Sequence, residues 1–151
     1  MPVVDSRQKM LDLGELLKVA AENTKSEYPI EFVYAAFVKE VQMPNSKFYR
    51  YGNTVYVVHA AEDSPSDGTF RALNADTAPN FLASGYAFVV DAYKNGFDTL
   101  VTEFSDQSLL NIFRTVAKNP PNPGMGYDVK MLENGNYRVG LQLGTNREGA
   151  Q

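Results

Sequence analysis

The chain has no cysteine, no tryptophan and a single histidine, His59, in 151 residues. Without thiols there is no thiol nucleophile, zinc ribbon or iron–sulfur ligation. One imidazole cannot build a two-histidine phosphoesterase or a histidine-rich metal centre, so no metal site is expected. Long apolar runs are also missing: the longest, around Val55–Val58 and Ala87–Val90, fall far short of the roughly 18 residues that cross a bilayer. The first ten residues, Met1–Met10, carry Asp5, Arg7 and Lys9 in place of the apolar stretch of a signal peptide. Positive charge is in deficit, 14 basic against 18 acidic residues for a net −4, which opposes nucleic acid and anionic lipid except at a local basic cluster. The nearest to one is Lys39, Lys47 and Arg50, interleaved with Phe48, Tyr49 and Tyr51, and it reads as a solvated strand edge. These absences describe a soluble chain that stays in the cytoplasm of the producing cell or is packaged into a larger assembly, with no membrane or nucleic-acid partner.

What is present is an ordinary globular composition, 44% apolar and 21% charged, long enough for one domain burying roughly 70% of its unfolded surface. Met10, Leu13, Leu16, Leu17, Ala20 and Ala21 keep helical spacing. A second helix is expected after Pro29, through Phe32, Ala35, Ala36 and Val41, with a strand as the competing reading because Phe32, Val33, Tyr34, Phe37 and Val38 favour β structure. Phe48–Tyr51 and Thr54–Ala60 flank Gly52-Asn53 as a hairpin. Ser64–Gly68 reads as a polar turn before a short antiparallel strand, Thr69–Leu73. The second half alternates: a helix over Asn80–Asn95 closed by Asn95-Gly96, a buried strand Thr99–Phe104, a helix capped by Ser105 or Asp106 and faced by Leu109, Leu110, Phe113 and Val116, a proline-rich loop Asn119–Gly126, and a hairpin of Tyr127–Leu132 and Tyr137–Leu143. The tail from Gly144 reads as loose, and no linker divides residues 1–151.

Helices, an antiparallel meander, then helix, strand, helix and closing hairpin is an order that resembles the GNAT N-acetyltransferase superfamily, in a divergent, phage-type form. The resemblance covers most of the chain at the level of pattern. It implies an α/β (α+β) fold with a mixed, mainly antiparallel central sheet flanked by helices. It also implies an acetyl-CoA site where the strand before the central helix runs into that helix, the family placing there a Gln/Arg-x-x-Gly-x-Gly/Ala loop whose amides hold the pyrophosphate. The equivalent stretch, Asn74–Gly85, has one glycine, no basic residue, an acidic Asp76 and a proline, Pro79, that lacks an amide donor. The family's tyrosine acid is absent from Ser108–Lys118.

The residues themselves offer few catalytic groups. His59 lies in the apolar Val55–Ala61 run and reads as a strand histidine; Glu62 and Asp63, adjacent on a strand, point to opposite faces. Glu103 is a lone carboxylate near the end of a buried strand, where open sheets border their ligand crevices. With the cofactor loop and the acid both departing from the family, the expectation is a non-catalytic domain without a cofactor, acting through protein contact or self-association, as a component of a phage particle for example. Its interface would comprise Tyr49, Tyr51 and Tyr56 at partly exposed strand positions and Pro120, Pro121 and Met125 of the stiff loop. The alternative is an acyl-CoA-dependent N-acetyltransferase in which Asn74, Ala75, Ser84 and Gly85 take the cofactor and Glu103 is the base.

Overall fold

The structure, a computed structural model, describes residues 30–43, 45–74, 76–104 and 107–144, together with Gly14. The helix expected over Met10–Ala21, the caps Ser105 and Asp106, and the segment 145–151 lie outside the described residues. Helix α1 spans Ile30–Gln42, so the helical reading prevails over the strand there. Its buried anchor is Phe37, while Phe32 is 65% exposed and takes no part in the core. Strands β1 (Ser46–Tyr51) and β2 (Thr54–Ala61) form the expected hairpin, with Gly52 at the left-handed φ of 60° that its tight turn requires.

Strand β3 is longer than expected, Ser64–Asn74. The turn falls at Glu62-Asp63 because Ala61 pairs directly with Ser64 across a register shift, so Ser64–Gly68 is strand and not turn. Pro65 is tolerated because pairing with the next strand starts only at Asp67. Helix α2 (Ala78–Lys94), strand β4 (Thr99–Phe104), helix α3 (Gln107–Lys118) and the hairpin of β5 (Gly126–Met131) and β6 (Tyr137–Gln142) complete the order. The six strands lie β1-β2-β3-β4-β6-β5, antiparallel throughout except for β3 beside β4. This is the mixed, mainly antiparallel sheet flanked by helices that the pattern predicted.

Cα partners across a sheet share a face, and the register sorts the core into two. Tyr49, Tyr56, Phe70, Leu100, Val139 and Leu141 point to the side covered by α2 and α3, where they meet Phe88, Val89, Phe113 and Val116. Phe48, Val55, Val57 and Leu73 point to the other side, the side of Phe37 and α1. Gly144, expected in the loose tail, is buried, and a Cβ there would come within 2.8 Å of the Tyr93 ring. No helix among the described residues is long and apolar enough to cross a membrane. Leu100, fully buried in mid-sheet, sets a test of this layout: Leu100→Ala should lower unfolding free energy by about 2–5 kcal/mol. Urea denaturation would measure it, and a loss under about 0.5 kcal/mol would place the side chain at the surface.

Candidate functional site

β3 and β4 pair over only three positions, Asp67 with Thr99, Gly68 with Leu100 and Thr69 with Val101. Beyond that point β3 runs on to Asn74 and β4 to Phe104 with no pairing between them. A wedge-shaped gap therefore opens toward the C-terminal ends of two parallel strands. Alternate backbone N–H and C=O groups on its walls have no sheet partner across it.

The closed end of the wedge is fixed by local chemistry. Thr99 donates its hydroxyl to Asp67 Oδ1, Ser64 donates to Asp67 Oδ2 at 2.6 Å, and Asp98 N donates to the carbonyl of Ser66 at 2.7 Å. Gly68 sits at a close approach, since a Cβ would lie 2.9 Å from the His59 carbonyl and within 3.3 Å of Phe97 and Leu100. On the helix side the gap is bridged by rings. Phe113 of α3 touches Phe70 of β3 at 5.9 Å and Phe104 of β4 at 5.6 Å between centroids. Phe70 in turn meets Phe88, which stacks on Tyr56 at 4.2 Å. Beside this chain of rings, between α2 and α3, is a cavity of about 20 Å³ lined by Tyr56, Ala72, Phe81, Gly85, Phe113 and Met125, room for about one water.

Glu103 stands on the opposite face of β4, level with the open part of the wedge. It is exposed, faces Arg138 in register, and its Oε2 accepts from Asn136 Nδ2 at 3.2 Å. Arg71, on the β3 wall and on the same face, is held by α1 through Glu40 at 2.5 Å. A carboxylate beside a gap between strand ends, open to solvent and oriented by a neutral amide, can accept a proton from an incoming amine.

The helix at the head of the gap is already occupied by its own chain. Thr77 is the N-cap of α2 and accepts from Asn80 N at 3.5 Å, and Pro79 sits in the first turn. Asp76 accepts from Asn53 N and the Asn80 side-chain amide, each at 3.0 Å, and from Thr77 N at 3.3 Å. These bonds, that from Asn80 foremost, hold its carboxyl below the usual carboxylate range. A coenzyme A diphosphate does not fit here: the charge has the wrong sign and the amides of Thr77 and Asn80 are taken by the chain itself.

The other predicted residues are dispersed. Asn74 shapes the β3–α2 loop, accepting from Thr54 Oγ1 at 2.8 Å and Asp76 N at 3.0 Å; Ala75 lies outside the described residues. Ser84 and Gly85 are buried inside α2 and not at its head, Ser84 taking the Tyr56 hydroxyl at 2.8 Å and Gly85 packing near Val116 of α3. The partial exposure expected of the strand tyrosines is corrected for two of them. Tyr49 is fully buried and Tyr56 is 3% exposed, because both face α2. Burial pushes the Tyr49 hydroxyl up to about 12. Tyr51 is half-buried and donates to Asp91 Oδ2 at 2.7 Å. Pro120 is exposed, Pro121 is half-buried, and Met125 turns toward the cavity, while Asn122 between them is buried and donates to the Leu143 carbonyl at 2.9 Å. Tyr137, a further strand tyrosine expected to be partly exposed, is half-buried and reaches α3 from β6 by donating to Gln107 Oε1 at 2.7 Å. Its position opposite Phe104 was legible only once the closing hairpin was paired with β4.

The sequence matches no protein-family model and no curated protein. Solved structures do match. A chimera of the Vibrio cholerae spermidine N-acetyltransferase SpeG with hSSAT superposes with a TM-score of 0.60 at 7% identity, covering 93% of each chain. The aminoglycoside acetyltransferase AAC(6')-Ib with paromomycin and acetyl-CoA gives 0.55 at 11% identity over 89% of each chain. An N-acetyltransferase from Staphylococcus aureus gives 0.51 at 15% identity over 89% of this chain and 94% of that one. The chain has a divergent GNAT-like fold. These neighbours are acetyltransferases, and AAC(6')-Ib holds acetyl-CoA, which overturns the expectation of a non-catalytic contact domain without a cofactor. That expectation took the loop residues as the whole site. The gap between parallel strands is a property of backbone pairing, which the identity of loop residues does not report.

Asp67 at the closed end gives a pH test. Hydroxyl bonds from Ser64 and then Thr99 hold its carboxyl below 3.8. A depressed folded value means that the stabilisation is complete above the unfolded value and is lost as pH falls through the folded one. The melting temperature of wild type should therefore exceed that of Asp67→Asn near neutral pH, with the difference shrinking below about pH 4. A difference that stays constant across that range would show that the carboxylate does not hold the strands.

Proposed function

We propose that the protein is an acyl-CoA-dependent N-acetyltransferase, with the gap between β3 and β4 as the donor slot and Glu103 as the base. The observation that carries this reading is the parallel pair that separates after three registered positions at the matching place in a GNAT-like order of elements. Acetyl-CoA is the donor favoured, since AAC(6')-Ib binds it, and the acceptor is a primary amine, the class to which spermidine belongs.

A bound acyl-CoA supplies a thioester, whose carbonyl carbon gains the amine nitrogen as its C–S bond breaks. The chain's part is to position and to move a proton. Unpaired backbone groups along 70–73 and 102–104 offer an extended donor arm the hydrogen bonds of a missing strand. Glu103 takes the proton that the amine loses, with Asn136 fixing its Oε2 and Arg138 its register partner on β6.

Purified protein given acetyl-CoA and a panel of polyamines and aminoglycosides should release free thiol. Glu103→Gln should lower turnover by about 10²–10⁴-fold while donor binding by calorimetry is unchanged. Full turnover in that variant would remove Glu103 from the chemistry. No thiol release with any amine would count against the whole reading.

A further inference from the structure

The head of α2 contradicts what an acyl-CoA site ordinarily asks of a helix end. Of the first-turn amides, Asn80 N and Phe81 N are taken by Thr77 Oγ1 and the Thr77 carbonyl, and Pro79 has none. Just before the helix, Thr77 N is taken by Asp76. The Asp76 carboxylate also meets the positive end of the helix dipole, the position that suits an anion. It is enclosed from the far side by the β1–β2 turn: Asn53 N bonds it, and a Cβ on Gly52 would lie 3.0 Å from Oδ2. Arg50, the basic residue beside that turn, directs Nε to the Gly52 carbonyl at 2.8 Å.

We infer that Asp76 occupies the place where a donor's diphosphate would be held, so that the donor is recognised through its pantetheine arm between β3 and β4 and gains little from its nucleotide. This rests on the acyltransferase reading above for the donor class, a pantetheine thioester whether or not it is carried on coenzyme A. The exclusion of phosphate by Asp76 stands on the geometry alone.

The test compares coenzyme A, pantetheine and inorganic pyrophosphate on the wild-type chain, Asp76→Ala and Asp76→Asn, the last keeping the side-chain shape should alanine loosen the turn. In wild type, calorimetry should give coenzyme A and pantetheine dissociation constants within about threefold of each other. Both variants should bind coenzyme A about tenfold tighter or more with pantetheine unchanged. Pyrophosphate should raise the melting temperature of the variants and not of wild type. Wild type binding coenzyme A about a hundredfold tighter than pantetheine would overturn the inference. So would variants that gain nothing for coenzyme A or pyrophosphate. If neither pantetheine ligand bound any of the three proteins while pyrophosphate still separated the variants from wild type, the acyltransferase reading would fall and the exclusion by Asp76 would be supported.

Discussion

A parallel strand pair of three positions set inside an antiparallel sheet is the constraint from which the rest of the molecule follows. β3 is bound to β2 at Ser64 and from Gly68 to Asn74, and β4 along its length to β6, so each strand is anchored on its outer side. The two halves of the sheet are then joined by strand pairing only at Asp67–Thr69 and Thr99–Val101. Sheet twist turns neighbouring strands by roughly 20–25°, and two anchored strands without cross-bonds diverge. The divergence forgoes backbone hydrogen bonds, each worth about 0.5–1.5 kcal/mol net. Packing offsets this on one face, where Phe113 touches both strands through Phe70 and Phe104. At the closed end Asp67 and the close approach at Gly68 do the same.

At the open end of the gap, the two strand ends differ in chemistry. At its mouth, on the face of α1, Glu103 is exposed, oriented and opposed by an arginine. That is the arrangement proposed above to take a proton from an amine. At its head, α2 begins with a carboxylate of its own chain bonded to the hairpin turn. There the helix end, which in other settings binds an external anion, has become a joint between two parts of the fold. The same few residues thereby stabilise the β1–β2 turn and the start of α2, so the proposed exclusion of phosphate is coupled to structure through Asp76.

Much of the fold was legible because its signals are local. Gly52-Asn53 between alternating strands, the Asn95-Gly96 helix end and the apolar face of Leu110, Phe113 and Val116 each depend on neighbours in sequence. The boundary of β3 was misplaced because Ser64–Gly68 carries turn residues by composition, while Ser64 and Gly68 pair with β2 and Asp67 and Gly68 with β4. The strand tyrosines misled for a related reason. Composition marks Tyr49 and Tyr56 as amphipathic, and only the position of α2 decides that both are core. Of the candidate site, a carboxylate near the end of β4 and an acidic residue ahead of α2 were readable as residue types. The gap was not, because nothing in the sequence of two strands says where their pairing stops.

The central claim is that the unpaired stretch of β3 and β4 receives an acyl donor. Amide hydrogen exchange along 70–73 and 102–104, with and without S-acetylpantetheine or acetyl-CoA, tests it most directly. Exchange should slow by about tenfold or more at those amides, in the manner of an added strand, while β1 and β2 are unchanged. Exchange in both segments that is indifferent to saturating donor, or protection appearing only elsewhere in the chain, would contradict the account.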